Sequence, residues 1–328
     1  MFHHADGLAI RGGTLDGQGQ EYWACKKADR CTAGQGPRGM SVKQLTLLDS
    51  KEFHMSVFGC SGVTVQGVRI IAPSNSPNTD GIHASHSWHV SILNTTIGVR
   101  VVSNIMYKSE KFGWVRLDSL TDRRKSIDTE DGGGISDDIV CLEFILTIGT
   151  GDDCISSGPG TSDMLIGDIK CGLDHGISIG SLGWQDGEEG VRNVTVDRAV
   201  LKGTTNGLRI KTWAMPNSGS VTNVSFSRVT MHSVANPILV DQNYCPRKVE
   251  ICEGKSSGVQ ISDLSYTDIK GSSATPVAVK FNCSGINPCS GIKLRNIRLS
   301  YRHQRPAQAK CQNAGGSASG EVTPPSCL

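Results

Sequence analysis

One short phrase recurs along the chain: a polar residue, a small residue, then alternating apolar positions. It reads Asp80-Gly81-Ile82-His83, Asp153-Cys154-Ile155-Ser156, His175-Gly176-Ile177-Ser178, Asn206-Gly207-Leu208-Arg209, Asn236-Pro237-Ile238-Leu239 and Thr275-Pro276-Val277-Ala278. Period-two alternation is the signature of a strand with one buried face. A second alternating run precedes most copies, at residues 191–196, 221–226 and 259–264. From Asp153 the phrase returns after 22, 31, 30 and 39 residues. A constant minimum with variable excess describes solenoid coils that carry loops of different length. Gly, of which there are 39, interrupts every candidate helical face together with Asn and the β-branched residues. The expected fold is all-β, a right-handed parallel β-helix forming a single-domain solenoid over residues 1–310. A β-sandwich would leave the recurring phrase unexplained.

The rhythm breaks once, between Asp80 and Asp153. Thr96-Ile97-Gly98 recurs as Thr147-Ile148-Gly149, and removing residues 99–149 restores a spacing of 22. That stretch matches neither the phrase nor its composition and reads as a surface loop or a mis-spliced segment. The last residues, 307–328, are rich in Ser, Gly and Pro. A loose tail is expected there, with 311–328 as a separate unit tied through Cys311 and Cys327.

Twelve cysteines are present, many of them closely paired in sequence: Cys25 and Cys31, Cys154 and Cys171, Cys245 and Cys252, Cys283 and Cys289, Cys311 and Cys327. No Cys-x-x-Cys with partnering His suggests zinc, so disulfides in an oxidising compartment are the better reading. Sequons at Asn94, Asn193, Asn223 and Asn282 agree with a secreted glycoprotein. The start, Met1-Phe2-His3-His4, carries no leader pattern, so a signal peptide and some N-terminal coils are expected to lie ahead of it. The net charge of +2 excludes nucleic-acid binding driven by bulk charge. No apolar run is long enough to span a membrane. Cys60 reads as a small buried hydrophobe, and His54 as structural.

In a parallel solenoid, equivalent positions of successive coils stack about 4.8 Å apart. The first column of the phrase is then Asp80, Asp153, His175 and Asn206. Asp152 adjoins it, and Arg209 and Lys211 share one strand face. Three carboxylates, an imidazole and two cations on one exposed patch suit glycoside hydrolysis. One carboxyl protonates the leaving oxygen while another activates water. Inverting enzymes hold acid and base about 6.5–9.5 Å apart, a span that two coils would supply; retaining ones need about 5–5.5 Å. Arg209 and Lys211 would neutralise a sugar carboxylate, which points to a uronic-acid polymer.

At this point the chain resembles the plant polygalacturonases of glycoside hydrolase family 28. The matching motifs are Ser76-Pro77-Asn78-Thr79-Asp80-Gly81-Ile82-His83, Gly151-Asp152-Asp153-Cys154, His175-Gly176-Ile177-Ser178-Ile179-Gly180-Ser181-Leu182-Gly183 and Arg209-Ile210-Lys211-Thr212-Trp213. Residues 12–19 and 236–245 add to the match. The resemblance implies Asp152 as general acid, Asp80 and Asp153 as bases, and His175 as holder of their protonation state. It implies Asn78, Arg209, Lys211 and Tyr244 as substrate contacts, a Cys154–Cys171 disulfide, and inverting hydrolysis of pectin without metal or other cofactor. A secreted monomer acting in the cell wall is expected. Leu173-Asp174 stands where the family has Pro-Gly before His175. The competing readings are a pectin-binding protein that does not cleave and a Ca²⁺-dependent pectate lyase.

Overall fold

The computed structural model describes residues 9–16, 41–50, 52–73, 76, 78–99, 105–109, 113–117, 151–173, 175–246, 252, 254–302 and 305–328. Among them there is no α-helix. Two large sheets run the length of the molecule, one of eight strands and one of fifteen. In the smaller sheet, Met55–Phe58, Ile82–Ser85, Ile155–Ser157, Ile177–Leu182, Asn206–Trp213, Asn236–Tyr244, Val277–Asn282 and Gln308–Gln312 lie side by side in chain order. Each pair of neighbours is parallel, which requires the chain to wind once around the core between them. This is the expected parallel β-helix.

The winding follows from where the apolar residues fall. Ile82, Ile155, Ile177, Leu208, Ile238 and Val279 pair rung upon rung and are all buried. Each such side chain contributes about 1.5–3 kcal/mol by leaving water. Across the core, Phe226 and Tyr266 stack with centroids 5.0 Å apart. The long strands of the larger sheet, such as Ser162–Gly172, Val191–Lys202 and Ser218–Val234, turn corners without leaving the ladder. The corners are columns of residues with positive φ: Asp163, Asn193, Asn223 and Asp263 in one, Asp168, Arg198, Arg228, Asp268 and Asn296 in another. Asn and Asp tolerate that conformation, Arg198 and Arg228 share it in the second column, and side chains bond along both columns. Asn193 Nδ2 donates to Asp163 Oδ1, and Asn223 Nδ2 to Asn193 Oδ1, each at 2.8 Å.

Thr96–Val99 pairs with Arg69–Ala72 on one side and meets Lys170 and Cys171 on the other. The described part of the intervening segment is a hairpin, Ile105–Ser109 against Gly113–Leu117, in a two-stranded sheet of its own.

Two expectations are corrected. Residues 308–323 are no loose tail: Gln308–Gln312 extends the smaller sheet, and Ala314–Thr323 pairs with Cys289–Tyr301. Small residues permit this last coil to pack closely, since a side chain at Gly316 would meet Ile292 O at 2.0 Å. Thr275 is not the equivalent of Asn236 either. Ile238 pairs with Val279 rather than Val277, so the last copy of the phrase is displaced by two residues.

Among the described residues four disulfides are formed, Cys154–Cys171, Cys245–Cys252, Cys283–Cys289 and Cys311–Cys327. Cys60 is a buried free thiol. Cys25, Cys31, Cys141 and Asp174 lie outside the described residues.

Candidate active site

The register delivers the predicted column. Ile82, Ile155, Ile177 and Leu208 are paired, so the residues two before each of them, Asp80, Asp153, His175 and Asn206, occupy successive rungs. Backbone bonds fix their ends: Gly81 N donates to Asp153 O at 2.9 Å, and His175 N to Asp152 O at 3.0 Å. Glycine is required at two of these joints. A Cβ on Gly151 would lie 1.8 Å from Ser76 O, and Gly176 combines a φ of +78° with a Cβ position 2.0 Å from Asn206 O. Asp80 stands one coil from Asp152 and Asp153, not the two that the acid–base span suggested.

The patch is less exposed than its composition implies. The Asp153 side chain is only 2% exposed and gathers both cations. Its Oδ1 accepts from Arg209 Nη2 at 2.6 Å and Ser178 Oγ at 2.8 Å, and its Oδ2 from Lys211 Nζ at 2.8 Å. Arg209 Nε also donates to Ser178 Oγ at 2.9 Å. Asp80 is likewise buried, its Oδ2 accepting from Ser156 Oγ at 2.6 Å. A hydroxyl has one proton, so Ser156 must in turn accept the 2.6 Å bond from His83 Nδ1–H. Phe53 stacks on His83 at 4.5 Å. Beneath, His54 N donates to Asp80 O at 2.9 Å, and the His54 ring takes the Ser50 N–H at 3.3 Å. Burial pushes the His54 imidazole below its usual range, against the upward pull of the Asp80 carbonyl bond, which suits a neutral brace.

Asp152 and His175 are the reachable members, 26% and 43% exposed at their side chains. His175 Nδ1 lies 3.0 Å from Asp152 Oδ1, which also accepts from Asp153 N at 2.9 Å. Burial works to raise the Asp152 carboxyl, but the bond and charge of His175 and the charge of Lys211 outweigh it and hold it low. The same bond raises the imidazole against burial. Asp80 moves the other way: burial pushes its carboxyl up, the His83 imidazole 3.6 Å away pulls it down, and Asp153 and Asp152 push it up again. The cluster therefore separates its carboxyls electrically, as acid–base work requires.

Asn78 sits exposed in a turn with φ of +54°. Ser76 and Thr79, whose hydroxyls lie 2.5 Å apart, hold that turn. The Thr79 hydroxyl also accepts from Gly151 N at 3.2 Å, tying the Asp80 loop to the Asp152 loop. Tyr244 closes the Asn236–Tyr244 strand, its ring 5.5 Å from Lys211 Nζ. It begins a row of rings, Tyr244 to Trp213 at 5.4 Å and Trp213 to Trp184 at 4.6 Å. Trp184 is 45% exposed; the sequence reading assigns no role to it, nor to His83, Ser156 and Ser178, which it meets only as members of the recurring phrase.

Donor atoms of Asp152, Asp153 and His175 lie within 4.8 Å of one another, a grouping that could ligate a cation. Both Asp153 oxygens already accept from cationic groups, so a divalent ion there would face Arg209 and Lys211 at close range.

The model for glycosyl hydrolases family 28 matches residues 1–101 and 134–321. A polygalacturonase of Prunus persica is 42% identical over 336 aligned residues, covering all of this chain and 72% of that protein. A probable polygalacturonase of Arabidopsis thaliana is 34% identical, covering all of this chain and 64% of its own length. The crystal structure of endo-xylogalacturonan hydrolase from Aspergillus tubingensis superposes with a TM-score of 0.72 at 20% identity, covering 98% of this chain and 78% of that one.

Proposed function

The chain belongs to the glycosyl hydrolases of family 28, and from that premise we propose that it is a polygalacturonase, cleaving α-1,4-galacturonosyl linkages of pectin by inverting acid–base hydrolysis. The observation that carries the reading is the double bond of Asp153 to Arg209 and Lys211 beside Asp152–His175 and Asp80. It joins carboxylates able to handle protons to cations able to receive a uronate.

Asp152 is the general acid. It is the most exposed of the three carboxylates, and it forms one proton-holding unit with His175. In the free site the proton belongs on the imidazole, as the opposite shifts of the two groups indicate. A uronate docking alongside raises the cost of a bare Asp152 carboxylate and draws the proton across to it. Asp80 and Asp153 are the bases that orient and deprotonate water. Ser156 and Ser178 hold these two carboxylates in place. Arg209 has five N–H donors and Lys211 three, more than Asp153 and Ser178 take up, so both can also grip a sugar carboxylate. Asn78 and Tyr244 complete the substrate contacts.

The four disulfides among the described residues support an extracellular setting, in keeping with a cell-wall substrate. No helix among the described residues is long and apolar enough to cross a membrane. The reading is tested by reducing-end release from polygalacturonate against neutral galactan. Release from the acidic polymer alone, reduced about 10²–10⁴-fold in Asp152→Asn, is the expected result. Binding of pectin without release would make the chain a non-catalytic relative.

A further inference from the structure

We propose that the cleft continues toward the C-terminal coils as a cationic lane, in which Lys280 and Lys310 bind carboxylates of uronate residues beyond those held by Arg209 and Lys211. The proposal rests on the galacturonan reading of the site and adds to it where the rest of the polymer lies.

The lane is a consequence of register. Arg209 pairs with Leu239, Leu239 with Lys280, and Lys280 with Lys310. One column thus runs His83, Ser156, Ser178, Arg209, Leu239, Lys280, Lys310, with the two serines and Leu239 buried and the two lysines exposed. At about 4.8 Å per rung, Lys280 stands about 10 Å and Lys310 about 14 Å from the Arg209 position. Alternation puts Val279 and Phe281 into the core and turns both lysines outward, where they are exposed. A groove of about 470 Å³ opens between them, lined also by Gln312. Disulfides anchor both rungs, through Cys311 in the groove wall and Cys283 just after Asn282.

The column is asymmetric. On the N-terminal side of the carboxylates it carries Ser56 and His83, the latter stacked on Phe53; the lysines lie on the C-terminal side. Asp241 is the carboxylate beside the lane, paired in register with Lys211 and Asn282. Its Oδ1 accepts from Asn282 Nδ2 at 3.0 Å and Asn243 N at 3.1 Å, which ties it into the sheet. Among the described residues of this column, a polyanion crossing the catalytic rungs therefore meets lysines only toward the C-terminal coils. Repeated positive charge at rung spacing favours a chain with a carboxylate on every sugar over a neutral polysaccharide.

The test compares the parent protein with Lys280→Ala/Lys310→Ala, Lys280→Glu/Lys310→Glu and Lys280→Arg/Lys310→Arg in affinity electrophoresis through polygalacturonate and through neutral galactan. The alanine pair should weaken polygalacturonate binding about five- to tenfold at low salt, the glutamate pair more, and the arginine pair should restore it. Retardation by galactan should not change. Parental affinity in both the alanine and glutamate pairs would overturn the lane, as would equal loss toward galactan. Hydrolysis by the parent with lysine-independent binding defeats the lane and leaves the proposed function standing. Lysine-dependent binding by a parent that releases no reducing ends does the reverse.

Discussion

Asp153 and Lys211, 58 residues apart in the chain, meet through a buried 2.8 Å bond between Oδ2 and Nζ. Asp153 serves two cations, whereas Asp80 one coil away serves a serine and a histidine. The two carboxylates should therefore differ in what their removal does to stability.

In Asp153→Asn, Arg209 and Lys211 lose their shared counter-charge while still largely buried. Breaking such a pair costs about 3–5 kcal/mol. In Asp80→Asn the sign reverses. A carboxyl raised by burial is most favourable to folding below its unfolded pKa, and its contribution is lost as pH climbs through the raised value. At neutral pH the neutral amide should leave the melting temperature equal or higher. Both variants should lose about 10²-fold or more in rate. Thermal denaturation at pH 7, run beside the assay, distinguishes them.

The Asp152–His175 pair sets a pH window. The imidazole's share of the attraction is complete below pH 6.5 and disappears as pH rises through its elevated pKa. The carboxylate's share is complete above 3.8 and disappears as pH falls through its lowered one. Activity should follow, with the alkaline limb of the rate profile reporting loss of the proton held by the pair. Removing the imidazole takes away the main lowering influences on Asp152. His175→Asn should then bring the alkaline limb down toward the carboxyl range, and a profile of kcat/KM against pH records it. An unmoved limb would detach His175 from proton transfer.

The Cys154–Cys171 disulfide closes a span of 17 residues directly behind Asp153. A closure of this size is worth about 3 kcal/mol. Cys154→Ala/Cys171→Ala should melt several degrees lower, with activity at low temperature less affected than stability.

Trp184 is the exposed end of the ring row that starts at Tyr244 beside Lys211. If it lends a stacking face to the sugar chain, Trp184→Ala should raise the KM for polygalacturonate several-fold and Trp184→Phe should recover most of it. Quenching of tryptophan fluorescence on adding oligogalacturonate should weaken in the alanine variant.

Much of this site is legible in the sequence because one buried residue two places after each polar one sets the level of every rung. Ile82, Ile155, Ile177 and Leu208 carry Asp80, Asp153, His175 and Asn206 into one column whatever the loops between them do. Where a loop intervenes without such a marker, the spacing misleads, as in the two-residue displacement at Thr275. Ser156 and Ser178 escaped notice for a different reason. A serine in a strand has no signature, and its role arises only from the carboxylate lying one rung away. The last coil reads as a loose tail because an end coil has one face without a neighbour, so its strand is mostly polar and small. Its apolar anchors, Ala314 and Val322, are too few to show a period.

The most direct test of the account is the configuration of the sugar first released from polygalacturonate, followed by proton NMR in a fresh digest. Inverting hydrolysis by Asp152 with Asp80 and Asp153 predicts the β-anomer first, with the α form appearing only as mutarotation proceeds. An α-anomer from the outset, or an unsaturated uronate whose formation stops on adding a chelator, would contradict it.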